Sequence, residues 1–194
     1  APFSIITFLD GRLGHEKQTR GVLQALADLT SVAVQYRTLP SLSWVSAVRN
    51  WGAYIGAALY RRKRTAPVID LIIGSGSYTH IPMLLLKRLC GAKAVTSMAP
   101  AQSLIREFDL CFIPQHDAVK PKDNILVTLG PPNSAVSIGR HQQIRGLILV
   151  GGVGHKSHYW NPDELLDRIR LIFKKEFAME WTVSSSPRTP PDTV

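Results

Sequence analysis

The residues of this 194-residue chain best equipped for chemistry gather at glycine-rich turns that follow apolar runs. The first is Asp10-Gly11-Arg12-Leu13-Gly14-His15, with Lys17 close behind. Gly11 and Gly14 let the backbone approach a ligand closely. An imidazole such as His15 can take a proton or hydrogen-bond a substrate oxygen. The same residues also suit a plain turn in which His15 caps a helix. Gly11-x-x-Gly14 lacks the G-x-G core of a dinucleotide fingerprint.

A second turn, Gly74-Ser75-Gly76-Ser77, reaches Thr79 where a dinucleotide fingerprint needs its third glycine, and it is not a G-x-S-x-G elbow. It reads either as a turn whose hydroxyls bond a ligand or as a purely structural one. In the third, Gly152-x-Gly154, Ser157 replaces the last glycine, and Gly154-His155-Lys156-Ser157 shares only the end of a P-loop. A phosphate cradle without nucleotide hydrolysis is the expectation there. His155 and His158 are three apart, as two metal ligands could be, but no third ligand stands at a sensible spacing, so no metal is expected. His116-Asp117, after Pro114-Gln115, could be catalytic or could pin an interdomain turn. Ser77, His116 and Asp117 combine into a hydrolase triad on paper, although adjacent His and Asp side chains rarely take that geometry.

These turns need elements to hold them, and the pattern supplies a regular alternation. Apolar runs at Phe3–Leu9, Ser31–Tyr36, Val68–Ile73, Ala92–Ser97, Leu110–Ile113 and Ile125–Leu129 predict strands. Helix-like segments at Glu16–Asp28, Ser43–Tyr60 and Ile81–Leu89 lie among them. Near-continuous apolar strands read as parallel strands covered on both faces, so the fold class is α/β with a doubly wound, Rossmann-like sheet over residues 1–140. The stretch from Pro131 to Gln143 reads as a linker. Residues 141–194 begin again with a strand (Gly146–Val150), the Gly151-Gly152 turn, a helix (Asn161–Phe177) and a strand (Ala178–Ser184), the start of a second Rossmann-like domain. One strand, one helix and one strand do not close a domain. Such a unit is expected to be mobile, to pack on the first, or to pair with a second copy in a homodimer.

The composition, 45% apolar and 19% charged, excludes a disordered or collagen-like chain. A net charge of +9 favours an anionic partner. Six cations lie between Arg37 and Arg64, where no Asp or Glu occurs. Within that region Trp44, Val45, Val48, Trp51, Ile55 and Leu59 share a helical face, and Arg61, Arg62, Lys63 and Arg64 follow directly. An apolar stripe is ordinarily core, yet tryptophans beside a basic cluster also suit an anionic membrane surface. Nucleic acid is disfavoured, because no RNP, zinc-finger or helix-turn-helix pattern accompanies the charge. The run Trp44–Tyr60 is too short and too polar to span a bilayer. The N-terminus carries no basic region before its apolar run and reads as a strand instead of a signal peptide. Cys90 and Cys111 sit in apolar runs and read as buried free thiols, which fits a cytoplasmic setting.

Several motifs in order resemble one family. Asp10-Gly11-Arg12-x-Gly14-His15-x-x-Gln18-x-x-Gly21 resembles the opening of the family named for the plant "elongated mitochondria" fission factor, whose bacterial members are treated as glycosyltransferases. Phe108-Asp109-Leu110 into Pro114-x-His116-Asp117, then Asn124-Ile125-Leu126-x-Thr128-x-Gly130, then Gly151-Gly152, follow in the family's order. Ser186-Pro187-Arg188-Thr189-Pro190 is similar to the family's Ser-Arg-Arg-Thr-Pro, with Pro187 replacing the first Arg.

This resemblance implies a GT-B plan of two Rossmann-like halves and a sugar transfer from a nucleotide-diphosphate donor to a lipid or glycan hydroxyl, with no other cofactor. It puts Gly11, Gly14 and His15 on the acceptor side, where the expectation is that His15 acts as base and that Asp10, Arg12, Gly74, Ser75, Gly76, His116 and Asp117 complete the acceptor-side loops. Gly151, Gly152, Ser186, Arg188 and Thr189 fall to the donor half, where Pro187 removes one phosphate-binding cation. Trp44, Trp51 and the 61–64 cluster would touch the inner face of a membrane. The expectation is also that residues 1–194 alone do not turn over substrate. The other reading is a non-catalytic scaffold that recruits a membrane-remodelling partner.

Overall fold

The computed structural model describes residues 1–40, 44–59, 68–136, 138–153 and 160–193, the side chains of 44–48, 57–59 and 192 excepted. The chain separates into two compact units, Ala1–Val136 and Ser137–Val194.

In the first unit six strands make one parallel sheet: β1 (Phe3–Leu9), β2 (Val32–Thr38), β3 (Leu71–Ser75), β4 (Lys93–Ser97), β5 (Leu110–Pro114) and β6 (Ile125–Thr128). Their order is β2-β1-β3-β4-β5-β6. Helices α1 (Leu13–Leu29), α2 (Trp44–Leu59) and α3 (Ser77–Cys90) connect the first four. Successive side chains of a strand point to opposite faces, and the apolar runs accordingly feed two cores. Ile5, Leu71 and Ile73 meet Leu23 of α1 on one face. Ile6, Phe8, Ile72, Ala94, Cys111 and Ile113 meet Tyr54, Ile81, Met83 and Leu84 on the other. Helices thus cover both faces, which makes the sheet doubly wound and Rossmann-like.

The second unit is β7 (Arg145–Val150), α4 (Pro162–Lys175) and β8 (Glu180–Ser185), with β7 and β8 parallel. Asn161 caps α4 by accepting a bond from the Glu164 backbone, and Pro162 begins the helix.

Three of the differences from the expected boundaries bear on the site. α1 begins at Leu13, so His15 belongs to its first turn and not to the preceding loop. β3 runs to Ser75, so Gly74 and Ser75 are sheet residues. α3 begins at Ser77 and runs through Pro82, whose ring nitrogen donates no bond to the Tyr78 carbonyl one turn earlier. The expected helix Ile81–Leu89 therefore omits the first turn of α3.

The cysteines are free thiols, Cys111 fully buried and Cys90 partly so. Burial pushes the Cys111 thiol up to about 11, which makes it a packing group. Among the described residues no helix is long and apolar enough to cross a membrane.

Candidate functional site

β1 lies between β2 and β3, so the chain leaves β1 toward β2 on one side while β3 flanks it on the other. At such a switch point the loops after neighbouring strands diverge and leave a crevice at the strands' carboxyl ends. The β1–α1 and β3–α3 turns meet there, and they carry two of the glycine clusters.

Asp10 follows β1 directly. One carboxylate oxygen accepts the Arg12 backbone N–H at 3.1 Å, and the other lies 2.6 Å from His15 Nδ1. The Asp10 side chain is 1% exposed and that of His15 17%. A carboxylate can only accept, so the proton between them sits on Nδ1, and in the neutral imidazole Nε2 then carries the lone pair. Gly76 closes the pair from the side of β3. Its φ is +92°, and a Cβ at that position would collide with the His15 ring and stand 2.8 Å from Asp10 Oδ2. Only glycine meets both demands. Gly11 and Gly14 instead border open space, with nothing within 4 Å of a Cβ built on either.

The support beneath this pair was not visible in the sequence. Thr19, one turn beyond His15, hydrogen-bonds the His15 carbonyl at 3.1 Å and the Ser75 hydroxyl at 3.0 Å. Both hydroxyl residues are buried, so Ser75 ties α1 to β3 and is committed inside the fold. Behind them His80 is 2% exposed, its Nε2 3.3 Å from Thr96 Oγ1 and its ring edge-on to Phe108. Burial, with the nearby His15 adding to it, lowers the His80 imidazole to about 4, so it is neutral at physiological pH. The Arg12 guanidinium lies 4.9 Å from the centre of the exposed Tyr78 ring at the mouth of the site. Met98, just past β4 on the same sheet edge, holds a left-handed φ of +83°. That is a costly conformation for a non-glycine residue.

The other expected residues stand apart from this pair. His116 and Asp117 form a 3₁₀ turn after β5, with His116 Nε2 3.6 Å from Asp117 Oδ1 and largely exposed. Three strand spacings separate β5 from β1 in the sheet order, about 14 Å. No hydrogen bond among the described residues joins His116 to Ser77, and the paper triad is not assembled. Gly154, His155, Lys156, Ser157 and His158 lie outside the described residues, as do Arg61, Arg62, Lys63 and Arg64 and the side chain of Trp44. Among the described residues no three His, Cys, Asp or Glu side chains gather as metal ligands would.

In the second unit, Gly151 and Gly152 follow β7 and are laced to the turn after β8. The Thr189 hydroxyl donates to the Gly151 carbonyl at 2.6 Å and accepts from the Ser186 backbone at 2.9 Å. The Ser186 hydroxyl accepts from the Arg188 backbone, and Val153 N–H donates to the Arg188 carbonyl. A side chain on Gly152 would overlap that carbonyl. Ser186 and Thr189 therefore build the turn, while the Arg188 side chain is exposed.

Motif residues elsewhere also hold the fold. Burial alone would raise the Asp109 carboxyl. Bonds from Lys87, the Ala94 backbone and Lys93 instead hold it below the usual carboxylate range. Asn124 donates to the Ile105 and Phe108 carbonyls. Comparison with curated proteins and with solved structures gives no match. A family model described as mitochondrial fission ELM1 matches residues 13–194, and on that span the chain belongs to the mitochondrial fission ELM1 family.

Proposed function

We propose that the protein transfers a sugar from a nucleotide-diphosphate donor to an acceptor hydroxyl, with His15 as the general base. The observation that carries this reading is the 2.6 Å bond between buried Asp10 and His15 at the switch point of the sheet. Asp10 fixes the imidazole with Nε2 unprotonated and steadies the positive charge that His15 gains. Nε2 removes the acceptor's hydroxyl proton as its oxygen bonds to the anomeric carbon. The bond from that carbon to the diphosphate oxygen breaks, and its electron pair leaves with the nucleotide diphosphate. A net charge of +9 suits a polyanionic donor.

On this reading Arg188 neutralises the leaving diphosphate, while Gly151, Gly152, Ser186 and Thr189 shape the turn that presents it. Asp10, Gly11, Arg12, Gly14 and Gly76 surround the acceptor hydroxyl, and His116 and Asp117 have no part in proton transfer. The test is release of nucleotide diphosphate by the protein at its full natural length, offered UDP- and GDP-sugars with hydroxyl acceptors. His15→Ala is expected to lower release by about 10²-fold or more. Binding of no nucleotide sugar, or release that ignores His15, would leave the scaffold reading, in which the protein recruits a membrane-remodelling partner.

A further inference from the structure

Among the described residues three buried side-chain atoms have no hydrogen-bond partner: Thr7 Oγ1, Gln18 Oε1 and Ser97 Oγ. An unpaired buried polar group costs folding free energy, so each calls for a physical reason. Thr7 lies within the sheet, level with Ile73. Gln18 and Ser97 stand beside the Asp10–His15 pair. Ser97 ends β4, level with Ser75 at the end of β3. Val95, two residues earlier, packs against the apolar cluster under α1, so Ser97 points to that same face of the sheet. There Ser75 holds Thr19, and Gln18 is the residue before Thr19. Arg20, the residue after Thr19, lines a groove against Val34 and Tyr36 of β2. Neighbours in a helix are about 100° apart, so Gln18 leaves Thr19 on the other side, the side of β4.

We infer that Gln18 and Ser97 bind a second hydroxyl of the acceptor, which makes the acceptor a polyol such as a sugar. The inference rests on the glycosyl-transfer reading and names its acceptor class. Gln18 Oε1 can only accept, and the Ser97 hydroxyl can donate. A ligand hydroxyl donates and accepts, so it satisfies both atoms at once. A phosphate oxygen or an ionised carboxylate brings no proton to Gln18 Oε1. His15 precedes Gln18 by three residues, which sets their Cβ atoms about 5–6 Å apart on the helix. One sugar ring can therefore offer one hydroxyl to His15 and another to Gln18 and Ser97. Ser97 is wholly buried, and Met98 after it holds the left-handed φ of +83°. Met98 gives way as the sugar enters, and its strain is relieved.

The experiment measures nucleotide-diphosphate release by the full-length protein with UDP- and GDP-sugars. The acceptors are methyl hexosides, each beside its singly deoxygenated analogues, and a long-chain alcohol with one hydroxyl. Wild type is expected to lose about 10-fold or more in kcat/KM, through KM, when one hydroxyl other than the attacking one is removed. Ser97→Ala and Gln18→Met are expected to lose about as much with the parent sugar and to stop distinguishing it from that analogue. Ser97→Ala breaks no bond in the free protein, so its Tm is expected to be no lower than that of wild type. His15-dependent release in which both variants still distinguish the analogue overturns the inference and leaves the glycosyl-transfer reading standing. So does a lower Tm for Ser97→Ala with unchanged discrimination, which assigns its hydroxyl to a buried water only. Release to the long-chain alcohol as fast as to any hexoside also overturns it. No release with any acceptor overturns both.

Discussion

His15 and His80 sit in the same corner of the fold with opposite exposure. His15 is partly exposed and paired with Asp10, whereas His80 is buried beneath it against Thr96 and Phe108. Under the proposed role of His15 as base, a neutral His80 puts no second positive charge beside it. The price appears in acid. The His80 imidazole is lowered from 6.5 to about 4 in the folded state, so the unfolded chain binds the extra proton first. Its contribution is fully present above pH 6.5 and is lost as pH falls toward 4, by about 3 kcal/mol at most. Urea unfolding between pH 7 and 4 should therefore show a fall in stability that is much flatter in His80→Phe. An equally steep fall in that variant would assign the acid loss to other groups. At Gly76, alanine must take a positive φ and displace the His15 ring. Gly76→Ala is expected to cost about 1–3 kcal/mol and to disturb the Nδ1-protonated form of His15, read by imidazole ¹⁵N NMR. Unchanged ¹⁵N shifts would mean that Gly76 does not hold the pair.

At the scale of elements, the strands and helices were legible because parallel strands covered on both faces are buried along their length and read as apolar runs, as Leu71-Ile72-Ile73 of β3 does. Asp10, Gly11 and His15 were legible because they cluster in one turn. Thr19 was not: one turn along α1 it reads as an ordinary polar helix residue, and its partner Ser75 is 56 positions away. His80 was not singled out, because the helix was expected to begin at Ile81, one residue after it. For α2, periodicity shows that the helix has an apolar face but not what that face meets; of its described side chains, Trp51 and Ile55 are exposed. What the structure adds is Arg88 of α3, stacked 3.7 Å above the buried Tyr54 ring and donating to its hydroxyl at 2.7 Å, a contact between elements. Strand order, too, is a property of pairing and not of the alternation, yet it alone brings the β1 and β3 turns together.

The second unit invites an element-scale prediction. Thr189 and Arg188 are neighbours with different duties, one lacing the turn and one exposed. Thr189→Val should loosen the turn and lower the unit's stability by about 1–2 kcal/mol, measured by hydrogen exchange of β7 and β8. Arg188→Ala should leave that exchange unchanged and weaken nucleotide-diphosphate binding by about 10-fold or more. Equal effects of the two substitutions on binding would remove the distinction.

For the whole molecule, both apolar clusters and the Asp10–His15 pair belong to Ala1–Val136. Residues 1–136 alone should therefore unfold cooperatively and keep the His15 ¹⁵N signature, and loss of either would show that the pair depends on residues beyond Val136. The central claim is that Asp10 and His15 act as one unit in moving a proton from the acceptor. The most direct measurement is a double-mutant cycle on sugar transfer in the full-length protein, comparing His15→Ala, Asp10→Asn and the two combined. If the pair works as a unit, the double variant is about as slow as His15→Ala alone. Losses that simply multiply, or an Asp10→Asn variant as fast as wild type, would contradict the claim.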